Sequence, residues 1–356
     1  MIDLEIINPE QQYLIHLLSS VLHNSKPCCP PEKIDWEKLY KLSTMHDLAN
    51  MIFYAIDKMD NDKKPPREVL EKFGNEYKKG IAKEAVQHIT VENILSIFEE
   101  KGIKCMPLKG YLLKYMYLKP DMRMMADIDI LINSQQEEQI RTLMLEQGFT
   151  LQHKGENHDV YFRQPFMNIE MHRRLISENS PYSTYLSETW GRAKLKEGCK
   201  FIWELNPEDF YIYLIIHLTK HFSKGGTGIR SLMDIWVFKN HFKDTLNWDY
   251  IRMELEKIKL LKFAQNITEL SEIWFNNSEI SELHKLSGLH EEMAVYIFSS
   301  GTYGTRKYSV ISSMRQDLEA KHSFMVAKIL YQLRLFFPPV RIMKTFYPLL
   351  NTLPFL

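Results

Sequence analysis

Ala126-Asp-Ile-Asp-Ile-Leu-Ile132 and Asn168-Ile-Glu-Met-His172 are the two stretches on which the reading of this chain turns. In the first, Ile128, Ile130 and Ile132 alternate with Asp127, Asp129 and Leu131, the period of a strand with one face buried. Asp127 and Asp129 stand two residues apart and so leave the same face. Two ionised carboxylates ~5 Å apart repel by roughly 3 kcal/mol at an effective dielectric near 20. A strand keeps such a pair where something cationic offsets the repulsion, and a hard divalent ion with oxygen ligands is the obvious candidate. The second stretch offers Glu170 and His172, again on one face at i and i+2. If it lies beside the first strand, Glu170 completes a three-carboxylate cluster. Such a cluster can hold two magnesium ions around a phosphoryl-transfer centre.

Outward from these strands the chain orders itself simply. Ile103–Leu108 is short and apolar enough for a strand, closed by the turn Lys109-Gly110, and residues 111–118 read as helix. After the Asp strand comes a helix from Gln135 to Gln147, capped by Gly148, and then strands over 149–155, 158–164 and 167–174. This β-α-β-α-β-β-β unit sits inside helical flanks. Residues 9–58 read as helices broken near 27–31, and a long helix runs from about 67 to 101, ending at Lys101-Gly102. From about 181 helices return, over Glu208–Phe222, Ile229–Phe242, Trp248–Trp274 and 279–299. The expected fold class is therefore α+β (mixed α/β), divided as a helical region over 1–100, an α/β core over 101–178 and a second helical region over 179–356.

The run Leu108-Lys-Gly-Tyr-Leu-Leu113, with Tyr117, Pro120, Arg123 and Ala126–Ile132, followed by Asn168–His172, resembles the uncharacterised bacterial nucleotidyltransferases of the DNA polymerase β superfamily. The resemblance implies a small polymerase β-like sheet. It implies that Asp127 and Asp129 bind both metal ions, and that Glu170 ligates one and helps deprotonate the attacking hydroxyl. In-line attack on the α-phosphate of a nucleoside triphosphate, with Mg2+ (or Mn2+) as cofactor, would then expel pyrophosphate. Lys109-Gly110 departs from the Gly-Gly or Gly-Ser usual in the superfamily. Gly110 still allows close backbone approach to a phosphate at a helix start, and Lys109 and Arg123 add charge. The alternatives are a solvated Lys109 and an Arg123 paired with Asp121 or Asp127.

The resemblance extends over His217-Leu-Thr-Lys-His221 and Gly228-Ile-Arg-Ser-Leu-Met-Asp234. Lys220, His221, Arg230 and Asp234 are expected at a nucleotide or acceptor pocket facing the acids. The other reading pairs Arg230 with Asp234 across one helical turn and gives His217 a core hydrogen bond. His217 and His221 share a helix face at zinc spacing, but Leu218 stands where a metalloprotease helix carries Glu. Gly225-Gly226-Thr227-Gly228 matches no P-loop and reads as a connection.

Bulk properties narrow the partners. Among 356 residues, 45 are basic and 45 acidic, so no basic footprint argues for sequence-independent nucleic-acid binding. A small molecule, sugar or peptide acceptor is favoured. The N-terminus lacks a signal-peptide pattern and no apolar run reaches the ~18 residues of a spanning helix. The four cysteines make no disulfide framework, and the compartment expected is cytoplasmic. The aromatic tail (321–356) reads as a packing or homo-oligomer contact. A glycosyltransferase using Asp-x-Asp would place a large nucleotide-binding α/β region before the motif, where only one strand precedes it. A degenerate, non-catalytic transferase domain would be expected to lack one of the three acids, and all are present.

Overall fold

A computed structural model describes residues 7–224, 226–276, 286 and 288–301. The first helices begin where polar caps satisfy the orphan amides. Asn8 forms a capping box with Gln11 ahead of α1 (Pro9–Leu22), and Asp35 caps α2 (Trp36–Met45). α3 (Ala49–Asp57) packs along α4 (Arg67–Glu100), whose end is set by Gly102 in the left-handed region at φ 70.

The α/β unit follows in the expected order. It comprises β1 (Cys105–Pro107), α5 (Gly110–Leu113), β2 (Ile128–Ile132), α6 (Glu137–Glu146), β3 (Thr150–Lys154), β4 (His158–Arg163) and β5 (Met167–His172). The helix expected over 111–118 is only one turn of α-helix, continued by a 3-10 turn over Lys114–Met116. The sheet order is β1-β2-β5-β4-β3, with β2 and β5 parallel and the other neighbours antiparallel.

β2 is buried on both faces rather than one. Ile128, Ile130 and Ile132 join Ile169, Met171 and Tyr161 in a core against Phe98 of α4 and Ile140 and Met144 of α6. Leu131 belongs to a second core beneath the other face. That second core takes residues from α1 and α3 and, equally, from the helices that follow the sheet: α9 (Pro207–Lys224), α10 (Ile229–His241), α12 (Leu261–Phe275) and α13 (Leu289–Ser300). Chain-distant α1 and α12 are tied directly, since Ser19 Oγ donates to the Phe275 carbonyl at 3.4 Å. The helices before and after the sheet thus share one apolar interior.

Between β5 and α9, α7 (Ser183–Ser187) and α8 (Thr189–Arg192) precede a hairpin of β6 (Ala193–Leu195) and β7 (Trp203–Leu205), in a region the sequence reads as helical. Three-residue strands carry no readable period. This hairpin is held by distant partners: the Glu99 carboxylate accepts from the Phe201 amide at 2.9 Å, and the Phe201 carbonyl accepts from Cys105 N at 3.1 Å. The helix expected across Trp248–Trp274 divides into α11 (Trp248–Lys257) and α12 at Lys259, whose φ of 59 no helix continues through. The aromatic tail and most of the segment 279–299 before Gly288 lie outside the described residues. No helix among the described residues is long and apolar enough to cross a membrane.

Candidate active site

The parallel register of β2 and β5 sets the site. Asp129 stands opposite Glu170 and Leu131 opposite His172, while antiparallel β4 brings His158 opposite His172. The polar side chains of one sheet face are thereby gathered under α9 and α10. They line a cleft of about 500 Å³. Asp127, Asp129, Glu170, Lys109, Gly110, Arg123, Lys220, His221, Arg230 and Asp234 all line it, from five separate parts of the chain.

Asp129 is the most tightly held of the acids. It is 5% exposed, and its Oδ1 accepts from Lys109 Nζ at 2.7 Å and from His172 Nε2 at 2.7 Å. Burial alone would raise its pKa; the Lys109 ammonium and the His172 hydrogen bond outweigh burial and hold it far below the usual carboxylate range. Lys109 is pushed up in return, against its own burial, by Asp129. Glu170 lies below its ordinary value because His172 hydrogen-bonds it, the His172 Nε2 standing 3.2 Å from Glu170 Oε2. His172 is correspondingly raised, its two carboxylate partners overcoming desolvation. Asp127 shifts the other way, upward, through partial burial first and then through the charges of Asp129 and Glu170. The Lys109 charge and a backbone hydrogen bond oppose that without cancelling it. Asp127 makes no ion pair with any described side chain.

The remaining predicted residues occupy the walls. Arg123 pairs neither with Asp121 nor with Asp127. Its Nε and Nη2 grip the two oxygens of Asp234 at 3.1 and 2.7 Å, and Tyr117 donates its hydroxyl to the same carboxylate at 2.8 Å. Arg230 does not pair with Asp234 across a helical turn; its Nη1 reaches Asp47 at 2.8 Å and the Met124 carbonyl at 2.8 Å. Gly110 makes room for this network, because a Cβ there would stand 2.7 Å from Arg123 Nη1 and 3.0 Å from Met125 Cγ. On α9, His217 and His221 face each other with Nε2 atoms 3.1 Å apart, and burial drives His217 well below its ordinary value, so it is neutral.

The tightest group of ligating atoms is not the three carboxylates. Among the described residues, the atoms that all fall within 4.8 Å of one another belong to His158, Glu170 and His172. Sequence reasoning noted His172 on the face of Glu170 and quoted Tyr117 without giving it a role, but passed over His158 and Asp47. Nothing in sequence spacing reports His158. Only the antiparallel register of β4 on β5 puts it there.

Residues 32–276 match the family model described as an uncharacterised nucleotidyltransferase. The chain belongs to this family. It is a nucleotidyltransferase. A solved structure of the antibiotic-resistance factor ANT(2'')-Ia is similar at a TM-score of 0.34 and 9% identity, covering 51% of this chain and 95% of that one, a likeness too distant to bear on the chemistry. No curated protein matches the nucleotidyltransferase described here.

Proposed function

We propose that this nucleotidyltransferase moves a nucleoside monophosphate from a nucleoside triphosphate to a hydroxyl or phosphate of a small-molecule, sugar or peptide acceptor, using Mg2+ (or Mn2+). The observation that carries the proposal is the β2–β5 register, which sets Asp129 beside Glu170 with Asp127 in the same cleft. The donor set fits a hard cation. Asp127 is a carboxylate raised by burial and then by two negative neighbours, and it lacks an ion-pair partner among the described side chains, so a bound divalent ion would favour its ionised form. Asp127, Asp129 and Glu170 would hold it through oxygen, and it would supply charge neutralisation on the phosphates.

The chain's own groups do the rest. Lys109 fixes the orientation and ionised state of Asp129. Lys220, His221 and Arg230 stand on the cleft wall formed by α9 and α10, where the triphosphate and acceptor would lie. Arg123 and Asp234, locked to each other beside Gly110, keep that wall rigid. Glu170 takes the proton of the acceptor hydroxyl as its oxygen bonds to the α-phosphorus. The bond from the α-phosphorus to its bridging oxygen breaks, and pyrophosphate leaves.

Incubation with each labelled nucleoside triphosphate, Mg2+ and a panel of acceptors should release pyrophosphate and transfer label. Asp127→Asn and Asp129→Asn should each lower that rate by about 100-fold or more. Absence of label transfer with all four nucleotides, in Mg2+ and in Mn2+, would instead support a non-catalytic binding role.

A further inference from the structure

We propose that His158, Glu170 and His172 form a second, chemically different metal site in the cleft, one selective for a borderline divalent transition-metal ion of the zinc class. It shares Glu170 with the proposed transfer site but does not depend on the transfer reading.

The case begins with donor chemistry. Two imidazoles and one carboxylate make a mixed nitrogen and oxygen set, which suits zinc and its neighbours, whereas magnesium takes oxygen alone. Geometry then shows that one ion could reach all three, whose ligand atoms lie within 4.8 Å of one another. Metal bonds of about 2.1 Å place ligand atoms roughly 3.4 Å apart around a tetrahedral ion and about 3.0 Å apart around an octahedral one. Here Glu170 Oε2 stands 3.2 Å from His172 Nε2 and 3.7 Å from His158 Nε2, which straddle the tetrahedral spacing. The two imidazole rings lie side by side with centroids 4.8 Å apart, both edges turned to the same carboxylate oxygen.

The backbone fixes this arrangement. His158 and His172 are directly paired across β4 and β5, and Glu170 is two residues from His172 on the same face. Three ligands from two adjacent strands need little reorganisation to meet one ion. All three also line the cleft, so a fourth position opens to a ligand rather than to protein. That is the layout of catalytic rather than structural zinc sites. Binding uses the Nε2 lone pair of His172, so the ion takes the place of the proton His172 gives to Asp129, and Asp129 keeps Lys109.

Cobalt(II) added to the untagged full chain is the probe, because tetrahedral Co2+ absorbs strongly in the visible and octahedral Co2+ weakly. The intense bands should appear near one equivalent, disappear with added Zn2+ and survive excess Mg2+. His158→Ala and His158→Gln should each weaken Co2+ binding by roughly tenfold or more, with an unchanged circular dichroism spectrum. A weak octahedral spectrum from the wild-type chain would overturn the site without reference to any variant, and so would intense bands that persist in folded His158→Ala. Asp127→Asn should lower nucleotide transfer by about 100-fold or more yet keep the bands. A wild-type chain with the bands but no transfer would refute only the transfer reading, and transfer without the bands would refute only this site.

Discussion

Lys109 and Asp129 show what a single side chain contributes. Asp-x-Asp on a strand is two repelling charges, and the structure relieves one of them from within by burying an ammonium 2.7 Å from Asp129. Asp127, without an ion pair among the described side chains, keeps its raised pKa. The two acids therefore differ despite identical chemistry, one a fixed anion and the other a carboxylate more readily protonated. Lys109 adopts φ 48 to make this contact, a backbone conformation that non-glycine residues seldom take. Removing the ammonium leaves a buried carboxylate with only His172. Lys109→Met should destabilise the chain by about 3 kcal/mol in urea unfolding, and Lys109→Met with Asp129→Leu should recover most of that loss. Equal stability of the single variant and the wild type would show that Lys109 is not the counter-ion of Asp129.

At the scale of elements, the turn between β1 and α5 carries more than its length suggests. Lys109 turns inward to the acids, and Gly110 yields the space in which Arg123 clamps Asp234 of α10. The turn, the segment before β2 and α10 are thus interlocked at one point. A methyl group at Gly110 must displace a guanidinium held by three acceptor atoms and also crowds the Met125 side chain. Gly110→Ala should cost about 1–3 kcal/mol, read as a lowered midpoint in thermal or urea unfolding, and should weaken nucleotide binding in parallel. A neutral Gly110→Ala would mean that Arg123 moves freely. Sequence reasoning placed Gly110 at a phosphate, a role that asks the same of its missing side chain. Besides the shortened helix over 111–118, the element boundaries that failed were β6 and β7, and the break at Lys259, where distant hydrogen bonds or one unusual φ override local propensity.

Across the whole molecule, the site depends on helices that are remote in sequence. His46 is the clearest tie. It follows α2, its Nδ1 accepts from the first amide of α10 (Ile229, 3.3 Å), and its Nε2 donates to Phe298 of α13 at 3.3 Å. Both ring nitrogens are engaged in the neutral form, and burial holds the pKa at about 4, below the 6.5 of an exposed histidine. As pH falls, the unfolded chain takes up this proton before the folded chain does. The stabilising contribution is therefore whole above about pH 6.5 and is lost towards pH 4, amounting to about 3 kcal/mol across that window. Urea midpoints at pH 7 and pH 4.5 should show the decline, and His46→Gln should flatten it. An unchanged slope in His46→Gln would assign the acid sensitivity elsewhere. Since α10 also carries Arg230 and Asp234, loss of this tie would loosen the cleft wall before the sheet itself.

Local pattern alone determined a good deal. Alternation around Asp127 and Asp129, the Lys-Gly turn, and a later strand with Glu170 are short-range signals, and they specified the α/β unit and its strand order in sequence; the family resemblance added Arg123, Lys220, His221, Arg230 and Asp234, and all ten residues line one cleft. Those signals survive because side-chain direction in a strand follows from sequence parity alone. Only the tertiary structure decided who partners whom. That Arg123 belongs to Asp234, Arg230 to Asp47 and His158 to His172 follows from strand register and helix placement, and residues far apart in sequence acquire those distances only when two cores close around them.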